Sequence, residues 1–357
     1  MMKLDIEAIG FFSSFLLIYF GMHLYVFGTL MFIFGISYLP SLAFALFFTF
    51  SFMIAAWLEK RYSTVLSRGF YTLAAAWMGI LFLSLSIILL FHLLNLIFWF
   101  GMTNARWWIV GSITLVAVYG MIHAQFISVR TFKIPMPGLK QRTRVVQLTD
   151  VHIGTIHNKK FLSQVVRKTN ALKPDIVLIT GDLVDGSGPV MPHMFMGIKD
   201  IKARKFFSTG NHEFYEGLHV VTPVLEETGI TILRNSAVTY KGIAIIGVDY
   251  HQGKRYLKAV LPEIKWDRSK PSILMNHVPE GFKYAQEHNV NLMISGHTHG
   301  GQIFPFSLIL ALFHNHFVGM FHKNNTHFYV SPGTGTWGPP MRIGTSNEIT
   351  VFNLEPA

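Results

Sequence analysis

The run Leu292-Met293-Ile294-Ser295-Gly296-His297-Thr298-His299-Gly300-Gly301-Gln302 begins as a short apolar segment and ends in two histidines among glycines. Short apolar runs closed by turn residues read as buried strands. His297 and His299 stand two positions apart, so both rings are expected on the same side past a strand end. The glycines around them permit a sharp reversal. Four runs upstream have the same build. Residues 145–148 lead into Asp150-Val151-His152, and 176–179 into Gly181-Asp182. Residues 206–207 lead into Gly210-Asn211-His212-Glu213, and 273–275 into Asn276-His277. Further apolar runs lie at 243–248, 328–330 and 349–352, and helical stretches are predicted at 159–172, 194–204 and 282–288. This alternation predicts one α/β domain of about 210 residues, enough to bury a core. In open α/β folds, sites form beyond the carboxyl ends of strands, which lets separated motifs meet.

The side chains at those ends are carboxylate, amide and imidazole, the donors a pair of divalent ions needs. Two ions about 3.5–4 Å apart can clamp the attacking and leaving oxygens of a phosphoryl displacement. Such a pair calls for a bridging carboxylate, and Asp182 at the tight Gly181 turn is the natural bridge. Imidazole suits transition metals, whereas carboxylate and amide oxygens suit harder ions such as manganese or magnesium. Gly210 lets the backbone pass close beside the site. The chain has no cysteine, so thiolate metal sites and disulfides are excluded.

These five motifs, in this order, resemble the calcineurin-like metallophosphoesterase superfamily across residues 145–354. The resemblance implies a four-layer αββα sandwich and assigns ligands by position. One metal would take Asp150, His152, Asp182 and His299, and the other Asp182, Asn211, His277 and His297. A hydroxide between them would be the nucleophile, and His212 would contact the scissile phosphate and assist the leaving group. Two divalent ions are expected, manganese first, with magnesium, iron or zinc as alternatives. The 295–302 run, followed by Pro339, Arg342 and Glu348, resembles the membrane-associated branch, with Arg342 as a candidate substrate contact. Asp185 and Glu213 are expected either to orient ligands or to touch metal. Isolated histidines such as His23, His92, His157 and His251 read as packed or surface side chains.

The first 130 residues are of another kind. The chain is 51% hydrophobic and 14% charged, against about 25% charged in soluble proteins. No Asp, Glu, Lys or Arg occurs at 8–58, 69–105 or 107–129. A span needs about 20 apolar residues. The first stretch therefore holds two spans, broken at Ser37-Tyr38-Leu39-Pro40, and the others hold one each. A cleaved leader would not account for four segments, and the twin-arginine pattern is missing. The net charge of +11 could suggest nucleic acid. Basic residues flanking the spans explain it better: Lys60, Arg61 and Arg68 in one loop, then Arg130, Lys133, Lys140, Arg142 and Arg144. No nucleic-acid partner is expected. The positive-inside rule places the second loop and the C-terminal domain in the cytoplasm. Trp99, Trp107 and Trp108 bracket the third turn as interfacial anchors.

The expected organisation is a four-helix transmembrane domain at 1–130, a basic linker at 131–143, where Pro135, Pro137 and Gly138 fall, and a metallophosphoesterase domain at 144–357. Residues 303–321 are nearly all apolar, broken by Pro305, His314 and His316. They read either as a core helix or as an element that dips into the membrane or takes an acyl chain, with Leu308 and Leu312 as substrate contacts. The expected enzyme sits in the inner membrane and hydrolyses a lipid-linked phosphate. In layout it resembles the bacterial UDP-2,3-diacylglucosamine pyrophosphatases of lipid A synthesis. The alternatives are a broad phosphoesterase on other envelope lipids or cyclic nucleotides, and a membrane sensor or scaffold without turnover.

Overall fold

The computed structural model describes residues 6–98, 102–251, 253 and 255–357. The chain divides into two units, Met1–Ile122 with Gly338–Met341, and His123–Trp337 with Arg342–Ala357.

The first unit consists of α1 (Ile6–Ile33), α2 (Leu39–Tyr62), α3 (Val65–Phe98) and most of α4 (Met102–His123). All four helices are long and apolar enough to cross a bilayer. The expected break at residues 37–40 falls between α1 and α2, where Pro40 occupies the first helical turn, as proline tolerates. Many large side chains on these helices are exposed, among them Leu39, Leu66, Leu96 and Trp108. Their apolar outer faces suit lipid rather than water. Several polar side chains turn inward, among them Ser41, Thr49, Ser51 and Glu59. His23 is buried, with its Nδ1 2.8 Å from Tyr19 O and its Nε2 accepting from Trp77 Nε1 at 3.0 Å. Trp99 lies outside the described residues.

The second unit holds two six-stranded sheets. Its strands are β1 (Ile127–Met136), β2 (Thr143–Leu148), β3 (Ile176–Thr180), β4 (Arg204–Ser208), β5 (Thr231–Ile232), β6 (Ser236–Tyr240), β7 (Ile243–Gly247), β8 (Ser272–Met275), β9 (Leu292–Ser295), β10 (Gly319–Lys323), β11 (Thr326–Val330) and β12 (Asn347–Pro356). The first sheet runs β1-β12-β2-β3-β4-β5 and the second β10-β11-β9-β8-β7-β6. Seven helices of four residues or more follow in chain order: α5 (Lys159–Ala171), α6 (Pro192–Phe195), α7 (Asn211–Glu216), α8 (Leu218–Glu226), α9 (Tyr256–Val260), α10 (Phe282–Glu287) and α11 (Phe306–Phe313).

The period-2 geometry of the strands sorts their side chains between layers. Val145, Ile176 and Leu178 of the first sheet pack against Ile245, Ile273 and Ile294 of the second. Their neighbours Val146 and Val177 face away, onto Leu162 and Val165 of α5 and Leu225 of α8. On the far side, Ile246, Leu274 and Met293 pack on Leu257 and Phe282 of α9 and α10. The result is four layers, αββα, as expected.

Three expectations are corrected. The 131–143 linker is not one: its first part belongs to β1, which pairs in parallel with β12 from Ile127↔Asn347 to Met136↔Pro356. This strand lies at a sheet edge, where Pro135 is tolerated. The second unit accordingly begins at His123 rather than after residue 130. The helix expected at 194–204 is broken: α6 and a 3₁₀ turn end at Asp200, and Arg204 opens β4. Residues 303–321 are not a core helix. They give only α11, which has no buried residue, and then enter β10.

Candidate metal centre

The seven proposed ligands come from both sheets. Asp150 and His152 follow β2, Asp182 follows β3, and Asn211 opens α7 after β4. His277 follows β8, and His297 and His299 follow β9. Backbone hydrogen bonds join these ends. Asp150 N donates to Gly181 O at 3.2 Å, His152 N to Asp182 O at 3.1 Å, and Gly296 N to His277 O at 3.0 Å. Between sheets, His297 N donates to Asp150 Oδ1 at 2.9 Å.

Five of the seven sit in left-handed backbone: Asp150 (φ 51°), His152 (50°), Asp182 (50°), His297 (72°) and His299 (50°). This conformation costs a non-glycine residue on the order of 1–3 kcal/mol and persists only where the surroundings fix it. Here it turns each side chain off its strand end toward one point. The crossing is tight enough to need glycine. A Cβ on Gly210 would lie 2.2 Å from Asp182 Oδ1, and one on Gly296 2.1 Å from Asp150 Oδ2.

The donor atoms converge in overlapping sets. Asp150, His152 and His299 form one group whose donor atoms lie within 4.8 Å of one another, and Asp182, His277 and His297 form another. His152 Nε2 and His299 Nε2 are 3.1 Å apart, and His299 Nε2 is 3.5 Å from Asp150 Oδ1. Asp182 Oδ2 lies between the sets, 3.8 Å from His152 Nε2 and 3.1 Å from His277 Nε2. Asn211 Oδ1 is 2.9 Å from His297 Nδ1. All but the half-buried His297 are buried.

Hydrogen bonds set the imidazole tautomers. His277 Nδ1 donates to Thr180 O at 2.8 Å, which leaves Nε2 facing Asp182. That Nε2 is buried, 3.1 Å from Asp182 Oδ2. A ligating histidine commonly has its second nitrogen tied to a carbonyl in this way. His152 Nδ1 is likewise buried without a hydrogen-bond partner, 3.6 Å from Asp185 Oδ1. Burial alone would lower the His277 imidazole, but the Asp182 and Asp150 carboxylates outweigh it and push it up to about 10. Burial raises Asp150 to about 6. Burial would also raise Asp182, yet His277, His212 and His152 together hold it well below the usual carboxylate range. Such crowding of buried donors is costly for the protein alone and is relieved by bound cations. The residues therefore fit a pair of divalent ions.

His212 flanks this group. Its Nδ1 donates to Asp185 O at 2.6 Å, so Nε2 faces inward, 4.0 Å from Asp182 Oδ2. Glu213 is a turn-holder. Its carboxylate accepts from the backbone N–H groups of Asp182, Leu183, Val184 and Gly210 at 2.7–3.1 Å. Asp185 and His212 form a third group with His152.

Arg342 is corrected as a substrate contact. It is fully buried, and its donors go to Asn347 Oδ1, Thr345 Oγ1 and the carbonyls of His299, Pro332 and Gly335. It clamps the turn that carries His299 and has nothing left to offer a phosphate. Leu308 and Leu312 are exposed on α11. Reading the sequence missed Thr149, whose Oγ1 is 2.7 Å from both Asp150 Oδ2 and Thr180 O. It also missed the rings of Tyr215 and Trp337 beside His212. Neither lies in a pattern with a mechanism of its own.

The sequence pattern of the calcineurin-like phosphoesterase family matches residues 143–301. An uncharacterized metallophosphoesterase of Helicobacter pylori is 38% identical over 228 residues, 61% of this chain and 61% of the relative. A transmembrane protein with metallophosphoesterase domain from Danio rerio is 33% identical over 271 residues, 68% of this chain and 61% of the relative. The chain thus spans about 61% of the length of these two relatives. The metallophosphoesterase YkuE of Bacillus subtilis is 31% identical over 227 residues, 59% of this chain and 79% of the relative. The chain belongs to the calcineurin-like phosphoesterase family.

Proposed function

From that membership we propose a membrane-bound, metal-dependent phosphohydrolase. One divalent ion would be held by Asp150, His152, Asp182 and His299, and the other by Asp182, Asn211, His277 and His297. Such a pair supplies charge stabilisation at a reacting phosphoryl group and an activated water. Manganese suits this mix of nitrogen and oxygen donors. The chain's own contribution is geometry and one proton position. Glu213 fixes the turn of Asp182, and Arg342 fixes that of His299. His212, with Nδ1–H committed to Asp185 O, presents Nε2 to the leaving oxygen as hydrogen-bond partner or acid. The observation that carries this reading is the convergence of the buried donors, with Asp150, His152 and His299 in one group and Asp182, His277 and His297 in the next. An apolar or purely structural pocket would not gather these groups.

For the substrate we propose a lipid-linked phosphodiester or pyrophosphate, specifically UDP-2,3-diacylglucosamine, which water would cleave to lipid phosphate and UMP. The exposed apolar α11, shortly after His299, supports an acyl-bearing substrate, as do the four membrane-length helices. The basic residues after α4 and in the second loop support a cytoplasmic catalytic domain.

The test is hydrolysis by the purified full chain in detergent with Mn2+, comparing the lipid nucleotide with a small soluble phosphodiester. Asp182→Ala should remove both bound ions and lower turnover roughly a thousandfold, the scale of several kcal/mol of charge stabilisation. Near-normal turnover with two ions bound would refute the ligand assignment. Cleavage of the soluble diester alone would leave a broader phosphoesterase.

A further inference from the structure

Two aromatic side chains border His212 and remain in solvent. The ring centres of Tyr215 and Trp337 lie 5.6 and 5.8 Å from that of His212, and the residues are 64% and 54% exposed. Leaving an indole in water forgoes the burial that usually justifies its size. Yet the Trp337 backbone is firmly held. Its main-chain N–H donates to Gln302 Oε1 at 3.0 Å, and Gln302 Nε2 donates to its carbonyl at 2.9 Å. The three residues before it are bonded as well. Thr334 N donates to Thr149 O at 2.7 Å, Gly335 N to Asp150 O at 2.8 Å, and Thr336 N to His157 Nε2 at 2.8 Å. The loop presenting this ring is therefore tied to the strand end that carries Asp150. On the other side of the centre, Tyr250 lies 6.3 Å from the His297 ring and 5.9 Å from Phe214. Exposed rings carried on a fixed backbone need less ordering when a flat partner arrives.

Resting on the phosphohydrolase reading, we propose that Trp337 and Tyr215 form a stacking subsite for a nucleobase, one sugar away from the phosphate at His212. Ring faces accept any planar base. A purely aliphatic partner would instead suit branched side chains such as Leu308, Ile309 and Leu312 on α11, which are exposed but offer no ring. The two surfaces thus divide the recognition of a substrate with a nucleotide at one end and an acyl tail at the other.

The test is calorimetric binding to the full chain in detergent, loaded with Mn2+. The probes are UMP, AMP and ribose 5-phosphate, which share phosphate and sugar and differ in the base. The base should tighten binding about tenfold, within the range that stacking gives. Trp337→Leu should bring the ratio of dissociation constants close to one, Trp337→Phe should keep most of it, and Tyr215→Leu should reduce it. Equal affinities in the unaltered protein, or a ratio that survives in Trp337→Leu, would overturn the subsite. Failure of all three probes to bind would overturn the phosphohydrolase reading and the subsite with it.

Discussion

His212 has one ring nitrogen committed and one free to act. Because Nδ1–H is held by Asp185 O, Nε2 is the nitrogen through which the proposed reaction would pass a proton to the leaving oxygen. His212→Asn keeps a polar group of similar reach but cannot deliver that proton. Turnover should fall about 100- to 10,000-fold, the usual worth of positioned acid catalysis, with metal content unchanged by elemental analysis. The loss should shrink for esters with a good leaving group, since these need no proton. An equal loss across leaving groups would reduce His212 to a positioning role. The neighbouring Glu213 shows why motif reading stopped short of roles. A carboxylate beside metal ligands has the composition of a ligand, and only its four backbone partners reveal that it holds a turn.

Among the elements, β2 and β3 are fastened at their outer end by Asp175. Its carboxylate accepts from Arg144 N at 2.8 Å and pairs with Lys241. Partial burial would raise this carboxyl, but Lys241 and the Arg144 backbone outweigh it and hold it below the ordinary value. A depressed folded-state value stabilises above the unfolded pKa and loses that contribution as pH falls through the folded one. Asp175→Asn should therefore lower the unfolding midpoint at neutral pH, with the difference fading below about pH 4. A constant difference across that range would exclude the linkage. The helix α11 invites the opposite expectation. Its Leu312 is 83% exposed, so Leu312→Asp should barely change the melting temperature, as surface substitutions do. It should raise KM for a diacyl substrate far more than for a soluble diester. A large loss of stability would mean that this helix is packed in solution. Eight strands were legible in the sequence because they are central and continuously apolar, as 176–179 and 292–294 are. The strand β1 was not, because an edge strand alternates: Arg130 and Lys133 point out while Ile127, Ile134 and Met136 point in. The short β5, half-buried β6 and β10 failed for the same reason. The candidate donors that the structure brings together were legible because their chemistry is local. Arg342 was misplaced because only the tertiary fold decides whether a guanidinium meets solvent or five protein acceptors.

For the whole molecule, four apolar helices precede a unit flanked by cations, and the orientation proposed from them places that unit in the cytoplasm. A reporter that works only outside the cytoplasm, fused after Ala357, should be silent, and the same reporter in the loop between α1 and α2 should be active. The reverse pattern would remove a cytoplasmic nucleotide-linked substrate from consideration. The strand order carries one more consequence. Among the described residues, β1 pairs with β12 alone, and about 220 residues separate Ile127 from its partner Asn347. Moreover, β12 also lies against β2. During synthesis, β1 emerges early and must wait, unpaired, while nearly the whole catalytic unit is made. Contacts so distant in sequence slow folding, and a waiting strand edge invites wrong partners. Ribosome stalling or a nonsense codon shortly before residue 347 would thus leave a membrane-inserted product with every metal ligand present and its first sheet split open, fit for proteolytic clearance rather than for reduced activity.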